Sequence, residues 1–237
     1  MPRPGGGFGN PKALYESRPK DAAHSAPLER HSLLSGDNPK GQPVKHGKIV
    51  LLNGTTSSGK TCTADVLGEI TDEPYFRFSS DFFTIPPRFH KKPYYVPLAT
   101  TMLHGHFHCM REMILTGNNM IVDVVLEDQA LLEECVKNLY DQTAYFVGVH
   151  CPLEELERRE IARGDRTIGM ARGQFNLVHV PGIYDVEVDT TQMSPLECAQ
   201  VIKSFMDGHD ASAPLALQRI QQEHQIDPSD TAFVLNW

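Results

Sequence analysis

This 237-residue chain has no apolar run approaching the roughly 18 residues that a membrane-spanning helix needs, which argues against a membrane protein. Its start, Met1 to Asn10, has no apolar h-region after its single arginine, so no secretory leader is expected. The five cysteines, at 62, 109, 135, 151 and 198, are odd in number and show no paired spacing. They read as reduced thiols of a cytoplasmic protein rather than as a disulfide framework. Basic residues are in the minority, 22 Lys and Arg against 30 Asp and Glu, and the net charge of −8 argues against a nucleic-acid partner. No internal repeat is present. What remains, at 40% hydrophobic and 22% charged, suffices for one large core with appendages.

The charge is unevenly spread. Residues 1–45 carry seven basic against four acidic residues, with seven of the 17 prolines and six of the 18 glycines. Few apolar residues there can offset the entropy of ordering, so a flexible N-terminal extension is expected over 1–45. A compact, acidic catalytic domain is expected over 46–210. Residues 211–237 contain one helical stretch, 214–224, and have no functional reading.

From Gly47 the pattern changes to strand and helix in alternation. Lys48–Asn53 is a short apolar run, as in a strand buried on both faces. Further strands are expected over 75–79, 120–126, 144–149 and 184–189. Helices are expected over 62–70, 98–115, 127–139 and 153–163, with the stretch 164–173 irregular. Ser194-Pro195-Leu196-Glu197 is a capping box that starts a helix to about residue 206. Five repeats of this alternation predict an α/β fold: a five-stranded parallel sheet with helices on both faces.

Between the first strand and first helix lies Gly54-Thr55-Thr56-Ser57-Ser58-Gly59-Lys60-Thr61, a full G-x-x-x-x-G-K-[ST]. The glycines allow a tight turn in which successive backbone N–H groups face phosphate oxygens. Lys60 supplies a point charge to the outer phosphates and the Thr61 hydroxyl a ligand for Mg²⁺. The helix that starts at this point, with Cys62 in its first turn, adds its positive end. A nucleotide with Mg²⁺ is therefore the expected cofactor. The guanine-reading N-K-x-D of a GTPase switch is absent, and a motor or transporter would need more chain. A small-molecule kinase needs an acceptor pocket, a base and mobile arginines, and each has a candidate.

Asp81 follows the second strand at the sheet's carboxyl edge, where it can take the acceptor's hydroxyl proton; a turn or helix-cap role also fits it. Asp123 lies in the third strand at the same edge, suited to Mg²⁺ through water, to a substrate hydroxyl, or to a structural bond to the phosphate loop. Phe82 and Phe83 open an aromatic, proline-rich stretch to Pro97 that reads as the wall of an acceptor site or as loop packing. Arg163 and Arg166, set around Gly164, are the expected lid cations, whereas Arg158 and Arg159 read as a solvated helix face paired with glutamates. His104, His106 and His108 read as helix-face histidines, since only 104 and 108 share a face and only Cys109 offers a further ligand.

Several of these segments together resemble the chloramphenicol phosphotransferase family. They are K-I-V-L-L-N-G-T-T-S-S-G-K-T (48–61), F-x-x-D ending at Asp81, V-G-V-H-C-P (147–152), A-R-G-D-R (162–166), G-M-A (169–171), Y-D-V-E-V-D-T-T (184–191) and S-P-L-E-C-A (194–199). The resemblance spans about residues 47–206. It implies a P-loop, nucleoside-monophosphate-kinase-like fold with a short lid, and ATP-dependent phosphorylation of a primary hydroxyl. It implies Asp81 as base, Lys60 and Thr61 at the phosphates and Mg²⁺, and Arg163 and Arg166 in the lid. Val124 stands where the family has a second aspartate, and Phe82–Pro97 does not match the family's substrate region, so the transfer machinery carries over better than the acceptor. Kinases of nucleosides, sugar nucleotides or cell-wall precursors, and a non-catalytic ATP-binding module, are the alternatives.

Overall fold

The computed structural model describes residues 45–79, 85–164, 167–180 and 182–229. Five strands, β1 (Lys48–Asn53), β2 (Phe76–Ser79), β3 (Met120–Val124), β4 (Thr143–His150) and β5 (Val186–Asp189), form one parallel sheet in the order β2-β3-β1-β4-β5. The helices are α1 (Lys60–Ile70), α2 (Tyr95–Leu115), α3 (Gln129–Leu139), α4 (Leu153–Arg163), α5 (Met170–Gln174), α6 (Pro195–Gly208) and α7 (Ala216–Glu223). A 3₁₀ turn, Pro87–Phe89, precedes α2.

The apolar run of β1 is continuous because both of its faces are covered. Ile49 and Leu51 pack with Phe107, Met110 and Ile114 of α2, Leu139 of α3 and Leu217 and Ile220 of α7. Val50 and Leu52, one residue out of phase, pack with Ala64 and Leu67 of α1 and with Ala199 and Ile202 of α6. Burying one such aliphatic side chain contributes about 1.5–3 kcal/mol. The segment after residue 211 is thus partly built into the core: α7 seats Ala216, Leu217 and Ile220 there, and Asp185 accepts hydrogen bonds from Ala216 N (2.7 Å) and Phe146 N (2.8 Å). No helix among the described residues is long and apolar enough to cross a membrane.

The expected elements are present with shifted ends. Helix α2 starts at Tyr95 rather than 98, because the first helical turn needs no intrahelical N–H acceptors and so tolerates Pro97. Helix α3 starts after Asp128, whose side chain accepts from Leu131 N at 2.8 Å and caps it. Strand β3 ends at Val124, and β5 begins at Val186, where its pairing with Val147 of β4 starts. The stretch 164–173 is not wholly irregular: α5 begins at Met170, behind a Gly169 at φ 93°. The capping box at Ser194 and Glu197 is formed.

Candidate active site

In this strand order the chain leaves β1 toward β2 on one side and later returns past it to β4 on the other. The carboxyl end of β1 therefore sits at the switch point, where open α/β sheets bind ligands. The phosphate loop emerges there. Gly59 has φ 93° and Ser57 φ 63°, the left-handed turns that aim backbone N–H groups inward. Gly54 admits no side chain: a Cβ would lie 2.5 Å from Val149 O and 2.8 Å from Ser58 Oγ.

Asn53 anchors the loop from below. Fully buried, it donates from Nδ2 to Val178 O and to the Tyr184 hydroxyl, and its Oδ1 accepts from Leu126 N, all at 2.9 Å. Burial raises the Tyr184 pKa, and His179, whose Nδ1 lies 2.8 Å from that hydroxyl, is depressed to about 4, chiefly by burial. From above, Gln174 of α5 accepts from Thr56 N at 3.0 Å and donates to Glu127 at 2.9 Å. From the side, Thr190 donates to Ser58 O at 2.7 Å, and Arg159 donates to Thr190 Oγ1 (2.9 Å) and Thr190 O (3.0 Å).

Lys60 donates to Gly54 O (2.7 Å) and Thr55 O (2.9 Å), folded over the loop it would serve. The Thr61 hydroxyl donates to Asp123 Oδ2 at 2.9 Å, so the structure brings these two expected cation ligands together and forms the structural bond considered for Asp123. Asp123 Oδ1 is buried, accepts no hydrogen bond among the described residues, and lies 3.7 Å from Arg77 Nη2. The Ser57 and Ser58 hydroxyls are likewise buried and have no hydrogen-bond partner among the described residues. A carboxylate oxygen with spare acceptor capacity beside a threonine hydroxyl is a donor set that suits Mg²⁺, an oxygen-seeking ion that keeps several of its waters.

These residues open into one cavity of about 680 Å³. The loop from Thr56 to Cys62, Asp123, Glu127 and Gln174 supply polar lining, and Leu103, Val125, Leu131 and Met170 apolar lining. Arg158, Arg159 and Arg163 also line it. Asp81, Phe82, Phe83 and Arg166 lie outside the described residues. Arg159 corrects the expectation of a solvated helix face: it pairs with Glu155 at 2.7 Å, but its guanidinium reaches across to Thr190. Arg158 does pair with Glu155, and the two arginines, Arg158 first, hold that carboxyl down at about 2.

Sequence reasoning missed Gln174, Glu127, Thr190, Asn53 and Glu160. Glu160, 1% exposed, accepts from Gly169 N (2.7 Å) and Ala171 N (2.9 Å) and so holds the start of α5 against α4. Its signal was available: it follows the buried Leu156 by four residues, a carboxylate on the helix's apolar stripe.

Residues 47–207 match the family model described as chloramphenicol phosphotransferase-like protein. A Mycobacterium tuberculosis protein, provisionally named an O-phosphotransferase and present in strains H37Rv and CDC 1551, is 27% identical over 204 residues, covering 76% of this chain and 90% of its own. Among solved structures, a sugar kinase from Janibacter sp. HTCC2649 is similar at TM-score 0.54 and 15% identity, covering 68% of this chain and 95% of its own. Shikimate kinase from Acinetobacter baumannii follows at TM-score 0.53 and 17% identity, covering 71% and 97%. The Mycobacterium tuberculosis APS kinase in complex with AMPPNP and APS is similar at TM-score 0.52 and 16% identity, covering 69% and 99%. The fold is that of the P-loop kinases.

Proposed function

The chain belongs to the chloramphenicol phosphotransferase-like family and is a phosphotransferase, and from that premise we propose that it moves the γ-phosphate of ATP to a hydroxyl of a small molecule, chloramphenicol or a similar aryl alcohol. The observation that carries this reading is a cavity lined both by the phosphate loop and by Leu103, Val125, Leu131 and Met170. A polyphosphate and an apolar acceptor can then meet in one cavity. Its five free thiols fit a reducing, cytoplasmic setting.

In this reading the loop amides and the positive end of α1 hold the phosphates, and Lys60 exchanges its two carbonyl partners for phosphate oxygens. Thr61 and Asp123 would hold Mg²⁺, which when bound offsets phosphate charge. Asp81 accepts the acceptor's hydroxyl proton as the oxygen bonds to the γ-phosphorus and the bond to the bridging oxygen breaks. Arg163 and Arg166 close over the transferring group and exclude water. Phe82 and Phe83, next to Asp81 in the chain, would contribute to the acceptor's wall.

Mass spectrometry of chloramphenicol incubated with the protein and Mg·ATP tests the acceptor, and a phosphorylated product is expected. Unmodified antibiotic, with turnover on a nucleoside or sugar alcohol instead, sinks the aryl-alcohol assignment and leaves the kinase standing. Asp81→Asn should abolish transfer while sparing ATP binding; wild-type turnover in that variant refutes Asp81 as base.

A further inference from the structure

Helix α2 carries His104 and His108 one turn apart, on the face it turns toward α3. Helix α3 answers with Glu134, whose Oε1 lies 3.0 Å from His104 Nδ1 and 3.8 Å from His108 Nε2. One ligand atom from each residue falls within 4.8 Å of the other two, and among the described residues this is the one such convergence of three His, Cys, Asp or Glu side chains. The carboxylate is itself held: Asn138 donates to Glu134 Oε1 at 2.8 Å and to the Glu134 backbone carbonyl at 2.9 Å. Such a supporting bond orients a metal ligand before the ion arrives. Cys109, the further ligand the sequence offered, is not in the group, and His106 is buried on the opposite side, stacked on Phe78 at 4.6 Å.

We propose that His104, His108 and Glu134 bind one borderline divalent cation of the Zn²⁺ or Co²⁺ kind, with water completing its shell. Two imidazoles and a carboxylate match the donor preference of these ions, whereas Mg²⁺ and Ca²⁺ prefer oxygen alone. Bonds of about 2.0–2.1 Å in a tetrahedral shell place ligand atoms about 3.4 Å apart. His104 and Glu134, at 3.0 Å, need only part slightly to admit the ion, and His108, 63% exposed and 3.8 Å from the same oxygen, has the rotamer freedom to close in. With Nδ1 bound to the ion, the neutral His104 ring carries its single proton on Nε2. His108 approaches the same oxygen at 3.8 Å, beyond a hydrogen bond but near enough for both rings and the carboxylate to share one ion.

The site is separate from the phosphate loop, and its existence does not rest on the phosphotransfer reading. It does bear on the cavity. Leu103 precedes His104, and Leu131 lies one turn before Glu134, and both line the apolar wall. An ion joining α2 to α3 would fix the spacing of those two leucines.

The test is titration of the purified full-length protein with Zn²⁺ against a chromophoric chelator, repeated with Co²⁺ while its visible absorption is followed. Binding of one equivalent is expected, with a Co²⁺ spectrum of nitrogen and oxygen ligands rather than thiolate. Affinity should fall at least tenfold in both His108→Ala and Glu134→Gln. Zn²⁺ should raise the melting temperature of the wild type and not of His108→Ala, an exposed substitution that leaves the core intact. Absence of stoichiometric binding, a thiolate spectrum, or unchanged affinity in His108→Ala overturns the proposal.

Discussion

The route from α4 to the phosphate loop gives a sharp prediction at Glu160, a residue that touches neither cofactor nor acceptor. Its carboxylate receives Gly169 N and Ala171 N, and α5 in turn presents Gln174 to Thr56 N. In Glu160→Gln the side chain keeps its shape and one acceptor oxygen. The second N–H then faces an amide NH₂, so one charge-assisted hydrogen bond is lost outright. Such bonds contribute about 1.5–3 kcal/mol net. At about 1.4 kcal/mol per factor of ten, local opening of α5 becomes about 10- to 100-fold more frequent. Amide hydrogen exchange followed residue by residue reads this directly. Exchange at Ala171 and Gln174 should accelerate by that factor and at Thr56 by a smaller one, while Val50 and Leu51 in the buried strand β1 keep their wild-type protection. ATP affinity should fall with the loss of order at Thr56. Uniform acceleration that includes β1 would mean that Glu160 supports global stability rather than α5. Unchanged exchange at Ala171 would remove the link from α4 to the loop altogether.

Three further outcomes follow from groups around the same loop. Asn53→Ala strips three buried hydrogen bonds and leaves Leu126 N–H without its acceptor, a cost of about 3 kcal/mol. The melting temperature, by calorimetry, should drop by about 6–12 °C for a domain of this size. Gly54→Ala places a methyl group 2.5 Å from Val149 O, a backbone atom that cannot swing aside, so the loop must shift. Isothermal titration should then show nucleotide affinity reduced more than tenfold, and near-normal affinity would mean the loop yields more readily than the packing implies. His106 is depressed from the ordinary 6.5 to about 4, by burial first, with Asp123 opposing. The unfolded chain therefore binds the extra proton, and the stability tied to neutral His106, present above pH 6.5, is lost as pH falls toward 4. That loss is about 2 kcal/mol between pH 8 and pH 5. In His106→Phe, which retains the stack on Phe78, denaturant melts should show a pH dependence flatter by that amount.

What could be read from the sequence and what could not divides along one line, the distance along the chain over which the deciding contact is made. Strand β1, the phosphate loop, helix α4 and the capping box of α6 lie where local pattern places them, because an apolar run, a glycine turn, a Pro152 start and a Ser/Glu pair each act within a few residues. Helix α5 escaped notice because its N-terminus is satisfied by Glu160, on the preceding helix. From sequence Arg159 reads as a surface residue because its glutamate partner is four positions away and visible, whereas Thr190 is 31 positions away and is not. The same holds for the histidines of α2, whose third partner comes from α3. Yet these distant contacts converge on one consequence. Asn53 fixes the base of the loop, Gln174 its crest and the Arg159–Thr190 pair its flank, so the backbone N–H groups are aimed before any phosphate arrives. An anion then binds without first ordering its own site, and the entropy of that ordering has already been met during folding. The loop motif alone names the backbone N–H groups suited to phosphate; the ring of long-range partners around it is what holds them in place.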